Sequence, residues 1–231
     1  MGKVILNSGG MDSFFVALEN PGVAHVFVNI GQKYLHKEIV SAQRIADHFR
    51  VPLYVMKGAQ IAGYEHSSGI IPLRNAELIL CAGQLGEDIY LGILENEINS
   101  DKSPEFLRAM EAVMTISCRP QYWSEGRSFH IHTPLGTRSK TELLKGIVGD
   151  KDLWRAALST VSCYDAGDKH CGRCPSCFKR WVALTAASGV DHGDHFALHP
   201  ATWKPLSHWQ GQGYPSKRME EIEVAYGIAA L

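Results

Sequence analysis

Neither Gly-Lys-Ser nor Gly-Lys-Thr occurs in this chain. That excludes the mononucleotide P-loop, whose lysine grips the β- and γ-phosphates. No apolar run approaches the ~20 residues that a transmembrane helix needs, so no membrane association is expected. There is no basic run, and the formal net charge is −1, so no bulk field holds a polyanion and general nucleic-acid binding is not expected. Internal repeats and low-complexity segments are absent as well. The apolar segment Val4-Ile5-Leu6 begins so close to Met1 that no secretory leader is expected. Leu6 also stands where N-myristoylation wants Ser or Thr. The expected compartment is the cytoplasm.

Directly after that apolar segment stands Ser8-Gly9-Gly10-Met11-Asp12-Ser13. Small residues at a strand-to-helix turn let backbone N–H groups approach a phosphate, and the following helix points the positive end of its dipole at the anion. The Ser8 and Ser13 hydroxyls add polar contacts, and Asp12 is suited to holding Mg²⁺ against the phosphates. The run resembles the PP-loop of the ATP pyrophosphatases. That resemblance implies cleavage of ATP between its α- and β-phosphates, leaving AMP on a substrate oxygen. It assigns Ser8, Gly9, Gly10, Met11, Asp12 and Ser13 to the nucleotide.

The chain has 231 residues, 45% of them hydrophobic, enough for a sizeable core. Strand-like segments at Val4–Asn7, Val23–Val28, Leu53–Met56 and Ile89–Ile93 alternate with helical patterns. The helices are expected at Met11–Leu18, over Ile39, Ala42, Ile45, Ala46 and Phe49, and from Asn75. This predicts an α/β fold with a parallel sheet, ligands lying beyond the carboxyl ends of its strands. Ser8, Asn29, Arg74 and Glu95 would then converge on one edge. A further helix from Ser103 or Pro104 to Met114 and a strand at Phe129–His132 follow. Ser139 and Glu142 then form a capping box, with Lys140 in the first helical turn, where a cation suits an anionic partner better than the helix dipole. We expect residues 1–158 to form the nucleotide-binding α/β domain and 159–231 a smaller C-terminal lobe. Gly193 to Ser216 reads as irregular before a final helix.

Of six cysteines, four crowd together as Cys163, Cys171, Cys174 and Cys177. Four thiolates suit tetrahedral Zn²⁺, and a closed site without an open position for water points to a structural role. The ferredoxin spacing of an iron–sulfur protein is not matched. His170 could replace a sulfur. Cys81, in an apolar segment, reads as a buried inert thiol, and Cys118 has no assignment.

The loop and the cysteines together resemble the QueC family of 7-cyano-7-deazaguanine synthases. Weaker segments occur in the same order: Asn29-Ile30-Gly31-Gln32-Lys33, Ile71-Pro72-Leu73-Arg74-Asn75, Thr133-Pro134-Leu135 with Lys140, and Ser162-Cys163-Tyr164. The likeness spans residues 3 to 185. It implies an adenine-nucleotide alpha hydrolase-like domain with a small zinc-bound helical lobe, using ATP, Mg²⁺ and Zn²⁺. It also implies two rounds of adenylation that convert 7-carboxy-7-deazaguanine and ammonia to the nitrile through the amide, and assembly as a homodimer. Asn29 and Gln32 fall to the nucleotide, while Asp12, Arg74 and Lys140 are assigned to catalysis. The sequence departs from the family at Asn29-Ile30 for Asp-Tyr, at Leu73 for Gly, and at Asn96 to Pro104, which replaces the Ser-Gly-Tyr-Pro-Asp-Cys stretch on the deazaguanine side. Three alternatives therefore stay open. One is a QueC-like enzyme that joins the carboxylate to another amine or stops at the amide. The second is a PP-loop tRNA sulfurtransferase, and the third a zinc-stabilised nucleotide-binding module without catalysis.

Overall fold

The computed structural model describes residues 2–66, 70–95, 98, 100–163, 165 and 169–230. Among the residues singled out above, Tyr164 and, in the stretch Asn96 to Pro104, positions 96, 97 and 99 lie outside the described residues. The chain divides into two compact units, Met1–Arg138 and Ser139–Leu231.

In the first unit, β1 (Gly2–Leu6), β2 (Ala24–Asn29), β3 (Leu53–Lys57), β4 (Gly86–Tyr90) and β5 (His130–His132) form one parallel sheet in the order β3-β2-β1-β4-β5. Four consecutive residues of β2, His25 to Val28, are buried, as expected for an inner strand covered on both faces. The connecting helices are α1 (Met11–Glu19), α2 (Leu35–Phe49), α3 (Arg74–Gly83) and α4 (Pro104–Ser117). Val4, Val26, Val28 and Ile89 join Ile79 and Ala82 of α3 and Leu107, Met110 and Met114 of α4 in one buried cluster. Side chains alternate along a strand, so Ile5 and Phe27 belong to the opposite face and are buried there too. Phe14 of α1 meets Phe49 of α2 with ring centroids 5.5 Å apart.

The chain winds from β1 through β2 to β3, then returns to place β4 on the other side of β1. The carboxyl ends of β1 and β4 therefore flank the point where strand order reverses, which is where open α/β sheets bind ligands. The sequence reading placed the fourth strand at Ile89–Ile93, but it ends at Tyr90. Leu91 still donates its N–H to the His132 carbonyl, at 2.9 Å, and the chain then turns at Gly92. A Cβ on Gly92 would lie 2.9 Å from the Cβ of Asp12, so a close approach to α1 takes the chain out of the sheet.

The second unit holds α5 (Lys140–Lys145), α6 (Lys151–Leu158), α7 (Pro175–Ser188), α8 (Leu206–Gln210) and α9 (Ser216–Ala229). The compact units divide after Arg138, where the sequence reading placed the boundary after Leu158. Both α5 and α9 pack on α7, and Arg180 of α7 binds the end of α6, which ties residues 139–158 to the later helices. The capping box at Ser139 and Glu142 is present. The segment read as irregular contains α8 and two short 3₁₀ turns, with Trp209 of α8 stacked on Phe178 at 3.9 Å. Among the described residues, no helix is long and apolar enough to cross a membrane.

Candidate functional site

The glycine loop sits at the reversal point, between β1 and α1. Gly9 has φ +75°, and a Cβ there would lie 2.5 Å from the backbone oxygen of Glu38, so only glycine fits against α2. Ser41 of α2 donates its hydroxyl to the Gly9 carbonyl at 2.7 Å. Ser13 Oγ accepts the Ser8 N–H at 3.1 Å and lies 3.3 Å from Ser8 Oγ, so the two serines brace the loop from within. Gly10 caps α1 in extended conformation without a side-chain hydrogen bond, leaving the helix N-terminus to other acceptors. The Gly9 amide is not directed outward as the sequence suggested: it donates to Asn7 Oδ1 at 2.9 Å. An anion would meet the amides at the start of α1 instead.

Sequence reasoning missed Asn7. It is buried, and its Nδ2 lies 3.0 Å from His25 Nδ1 and donates to the Ala42 carbonyl at 3.0 Å. Burial pushes the His25 pKa down to about 4, so the ring is neutral and its Nδ1 accepts from Asn7.

The other nucleotide residues read from the sequence lie at and just after the end of β2. Asn29 Oδ1 accepts the Gly31 N–H at 2.9 Å, and Gln32 Oε1 accepts the Ile30 N–H at 3.0 Å, so both side chains shape the turn itself. Gln32 Nε2 also donates to Glu38 Oε2 at 2.8 Å. Burial raises the Glu38 pKa to about 7, opposed by the hydrogen bond from Gln32 and the charge of Arg74. Arg74 is the first residue of α3. Glu95 is exposed and its backbone N–H meets the Arg138 carbonyl at 3.3 Å. Lys140 opens α5 in the second unit.

Beyond β4, a pocket of about 190 Å³ is lined by Ile93, Ile98, Lys102, Leu107, Arg108 and Thr133, among others. Its walls are largely apolar, with the cations Lys102 and Arg108 and the acid Glu111 at the lining. Lys102 and Ile98 belong to the stretch that departs from the resembled family.

In the second unit, the sulfurs of Cys163, Cys171, Cys174 and Cys177 all lie within 4.8 Å of one another, and those of Cys171 and Cys177 are 3.8 Å apart. Tetrahedral ligands about 2.3 Å from zinc are roughly 3.8 Å apart, so the spacing fits that ion. N–H groups of Asp165 and Cys171 donate to Cys163 Sγ, that of Arg173 to Cys171 Sγ and that of Cys177 to Cys174 Sγ, as suits thiolates. Hydrogen bonds from Cys174 and Cys177 hold the Cys163 thiol well below the usual range, while its thiolate raises Cys174 to about 11. A divalent ion would relieve that mutual penalty. A Cβ on Gly172, at φ +76°, would overlap the Leu198 carbonyl, so the knuckle needs glycine there. His170 supplies no ligand atom to the cluster; its Nε2 accepts the Ser162 N–H at 3.1 Å.

Arg180 fixes the approach to Cys163. Buried in α7, it donates to Thr160 Oγ1, Ser162 Oγ and the carbonyls of Ala157 and Leu158. No local pattern in the sequence marks it. Cys81, expected to be buried, is only partly so; desolvation and the neighbouring Glu77 push its thiol up to about 11. Cys118 caps α4 and packs on the core cluster.

A 7-cyano-7-deazaguanine synthase of Methanospirillum hungatei is 30% identical over 80% of this chain and 94% of its own length. Its counterpart from Chlorobium phaeobacteroides (strain DSM 266) is 28% identical over 84% of this chain and 97% of its own. A solved U34-tRNA thiolase, NcsA from Methanococcus maripaludis with its [4Fe-4S] cluster, covers 99% of this chain and 73% of its own, with 11% identity and a TM-score of 0.44, too low to bear on function. The model of the queuosine biosynthesis protein QueC matches residues 56–188, more than half of the chain, which therefore belongs to the QueC family.

Proposed function

We propose that the protein converts 7-carboxy-7-deazaguanine and ammonia to 7-cyano-7-deazaguanine at the expense of two ATP. The observation that carries this reading is the glycine loop at the strand-order reversal, backed by family membership. A carboxylate is a poor electrophile because oxide would have to leave. A substrate carboxylate oxygen attacks the α-phosphorus of ATP, expelling pyrophosphate. Ammonia then adds to the acyl carbon, AMP departs with the former carboxylate oxygen, and a proton is released. The amide oxygen is adenylated in the same way, and loss of AMP and two protons leaves the nitrile.

This chain's residues act chiefly through charge and position. The N-terminus of α1 receives phosphate, and Arg74 bears on the charge that develops on pyrophosphate; the resemblance assigns Lys140 to catalysis as well. Mg²⁺, held by Asp12, would supply Lewis-acid chemistry at the phosphates. The four cysteines would hold Zn²⁺ as a structural ion. We place this work in the cytoplasm, with small-molecule partners and a homodimeric assembly, as the resemblance implies.

A second reading has its own support. Lys102 stands in the pocket beside β4, within the stretch that replaces the family's Ser-Gly-Tyr-Pro-Asp-Cys segment. An altered acceptor side fits an enzyme that stops at the amide or joins the activated acid to a different amine.

Incubation with ATP, Mg²⁺, ammonium and 7-carboxy-7-deazaguanine, followed by mass spectrometry, tests both. AMP with nitrile supports the first reading and AMP with amide the second. Formation of ADP and orthophosphate would refute both.

A further inference from the structure

Ser41 has no part in the reaction as described so far. It is buried on α2 beside Ala42, Ile45 and Ala46, at a position where alanine would favour the helix more. A serine inside a helix commonly returns its hydroxyl to the carbonyl four residues back. Here the hydroxyl leaves the helix and donates to the Gly9 carbonyl at 2.7 Å. The other end of Gly9 is held as firmly, its N–H on Asn7 Oδ1 at 2.9 Å. The Ser8 N–H is likewise engaged, by Ser13 Oγ at 3.1 Å. Gly10 carries the next amide of the loop, and among the described residues none accepts from it.

We propose that Ser41 is a positioning residue: by holding the Gly9 carbonyl against α2, it turns the Gly10 N–H away from α2 and toward the phosphates of ATP. Among the described residues no peptide bond is cis, and across a trans peptide the C=O and the following N–H point in opposite directions. Fixing the first therefore fixes the second. The Gly10 N–H then joins the amides at the start of α1 as a donor aimed in advance at the departing pyrophosphate, where charge grows during the reaction. Gly9 has little room to adjust. Its φ is +75°, and the Glu38 backbone oxygen, Ser41 Cβ and Ala42 N all lie within 3.1 Å of where a Cβ would stand. Without the hydroxyl, the Gly9 carbonyl loses its buried donor, and the Gly9–Gly10 peptide can rotate and carry the Gly10 N–H off the anion.

This inference rests on the proposal that the glycine loop receives the phosphates of ATP, and the test separates the two. Pyrophosphate, the expected product, is the probe. Its dissociation constant is measured by calorimetry for the parent, Ser41→Ala and Ser41→Thr, together with AMP release and the melting temperature without nucleotide. The amide spectrum of isotopically labelled glycines is recorded with and without pyrophosphate. We expect Ser41→Ala to bind pyrophosphate about tenfold more weakly, the loss of one hydrogen bond to a charged group, while its melting temperature stays close to the parent's. Ser41→Thr keeps the hydroxyl and should stay within about twofold of the parent. In the parent the Gly10 amide proton should move downfield as pyrophosphate binds, and in Ser41→Ala it should move less. Parental affinity in Ser41→Ala overturns this inference, as does equal weakening in both variants. So does a Gly10 amide in the parent that ignores bound pyrophosphate, a result that needs no variant to fold. A parent whose Gly10 amide responds to pyrophosphate but which forms no AMP overturns the functional reading alone. A parent that binds no pyrophosphate overturns both.

Discussion

Asn7 takes the backbone N–H of Gly9 onto its Oδ1 at 2.9 Å and gives its own Nδ2 to the Ala42 carbonyl, joining β1, the glycine loop and α2 through one buried amide. Because Gly9 carries a positive φ against α2, its amide cannot be freed without moving the loop. Asn7→Ala leaves that amide without its acceptor and strips His25 Nδ1 of its donor. The expected loss is about 1–3 kcal/mol of stability, read by urea unfolding, with a raised KM for ATP. An unchanged KM would show that the loop holds its shape without Asn7.

His25 makes this network sensitive to acid. Its folded pKa, about 4, lies below the unfolded value near 6.5, so the native state binds fewer protons across that interval. Stability from the neutral ring is complete above pH 6.5 and is lost as pH falls to 4, a loss of about 3 kcal/mol. His25→Gln should flatten this part of the stability profile in denaturant titrations at successive pH values. A profile as steep as the parent's would place the titrating group elsewhere.

Leu73 adopts φ 60° and ψ 11° immediately before Arg74, at the position where the resembled family has glycine. A left-handed conformation is costly for a branched side chain, and Leu73 is 77% exposed, so little packing offsets it. Leu73→Gly should stabilise the protein by about 1 kcal/mol, measured as a rise in the urea midpoint. A fall would mean that the leucine has a packing role that its exposure conceals.

The four sulfurs stand close enough that one thiolate disfavours the others without an ion. Cys174→Ala, or treatment with a chelator, should lower the melting temperature, and Zn²⁺ should restore it in the chelated parent but not in the variant. Parental stability in Cys174→Ala would contradict a structural metal.

Much of this was legible where the signal is contiguous. The run from Ser8 to Ser13 and the knuckle from Cys171 to Cys177 each carry their geometry in neighbouring residues. The capping box at Ser139 and Glu142 is likewise a local pattern. Other features depend on distant partners. Hydropathy continues past Tyr90 because Leu91, Ile93 and Leu94 remain buried after the chain has left the sheet, so the end of β4 could not be read from it. Arg180 is a single polar residue within a helix, and its importance comes from Thr160 and Ser162, some twenty residues away in sequence. The division after Arg138 follows from helix packing around α7, which leaves no mark in composition.

Gly92 offers a way to test Asp12 without removing it. A Cβ at position 92 would lie 2.9 Å from Asp12 Cβ and 3.0 Å from its carbonyl carbon, so Gly92→Ala must displace the start of α1. If Asp12 holds Mg²⁺, the variant should need more Mg²⁺ for half-maximal AMP formation and approach parental kcat once saturated. Asp12→Ala should abolish AMP formation at every Mg²⁺ concentration while the melting temperature stays near the parent's. A Gly92→Ala enzyme with slow turnover but an unshifted Mg²⁺ requirement would mean that the displaced helix start, rather than the carboxylate, limits the reaction. Asp12 would then lose its role at the metal.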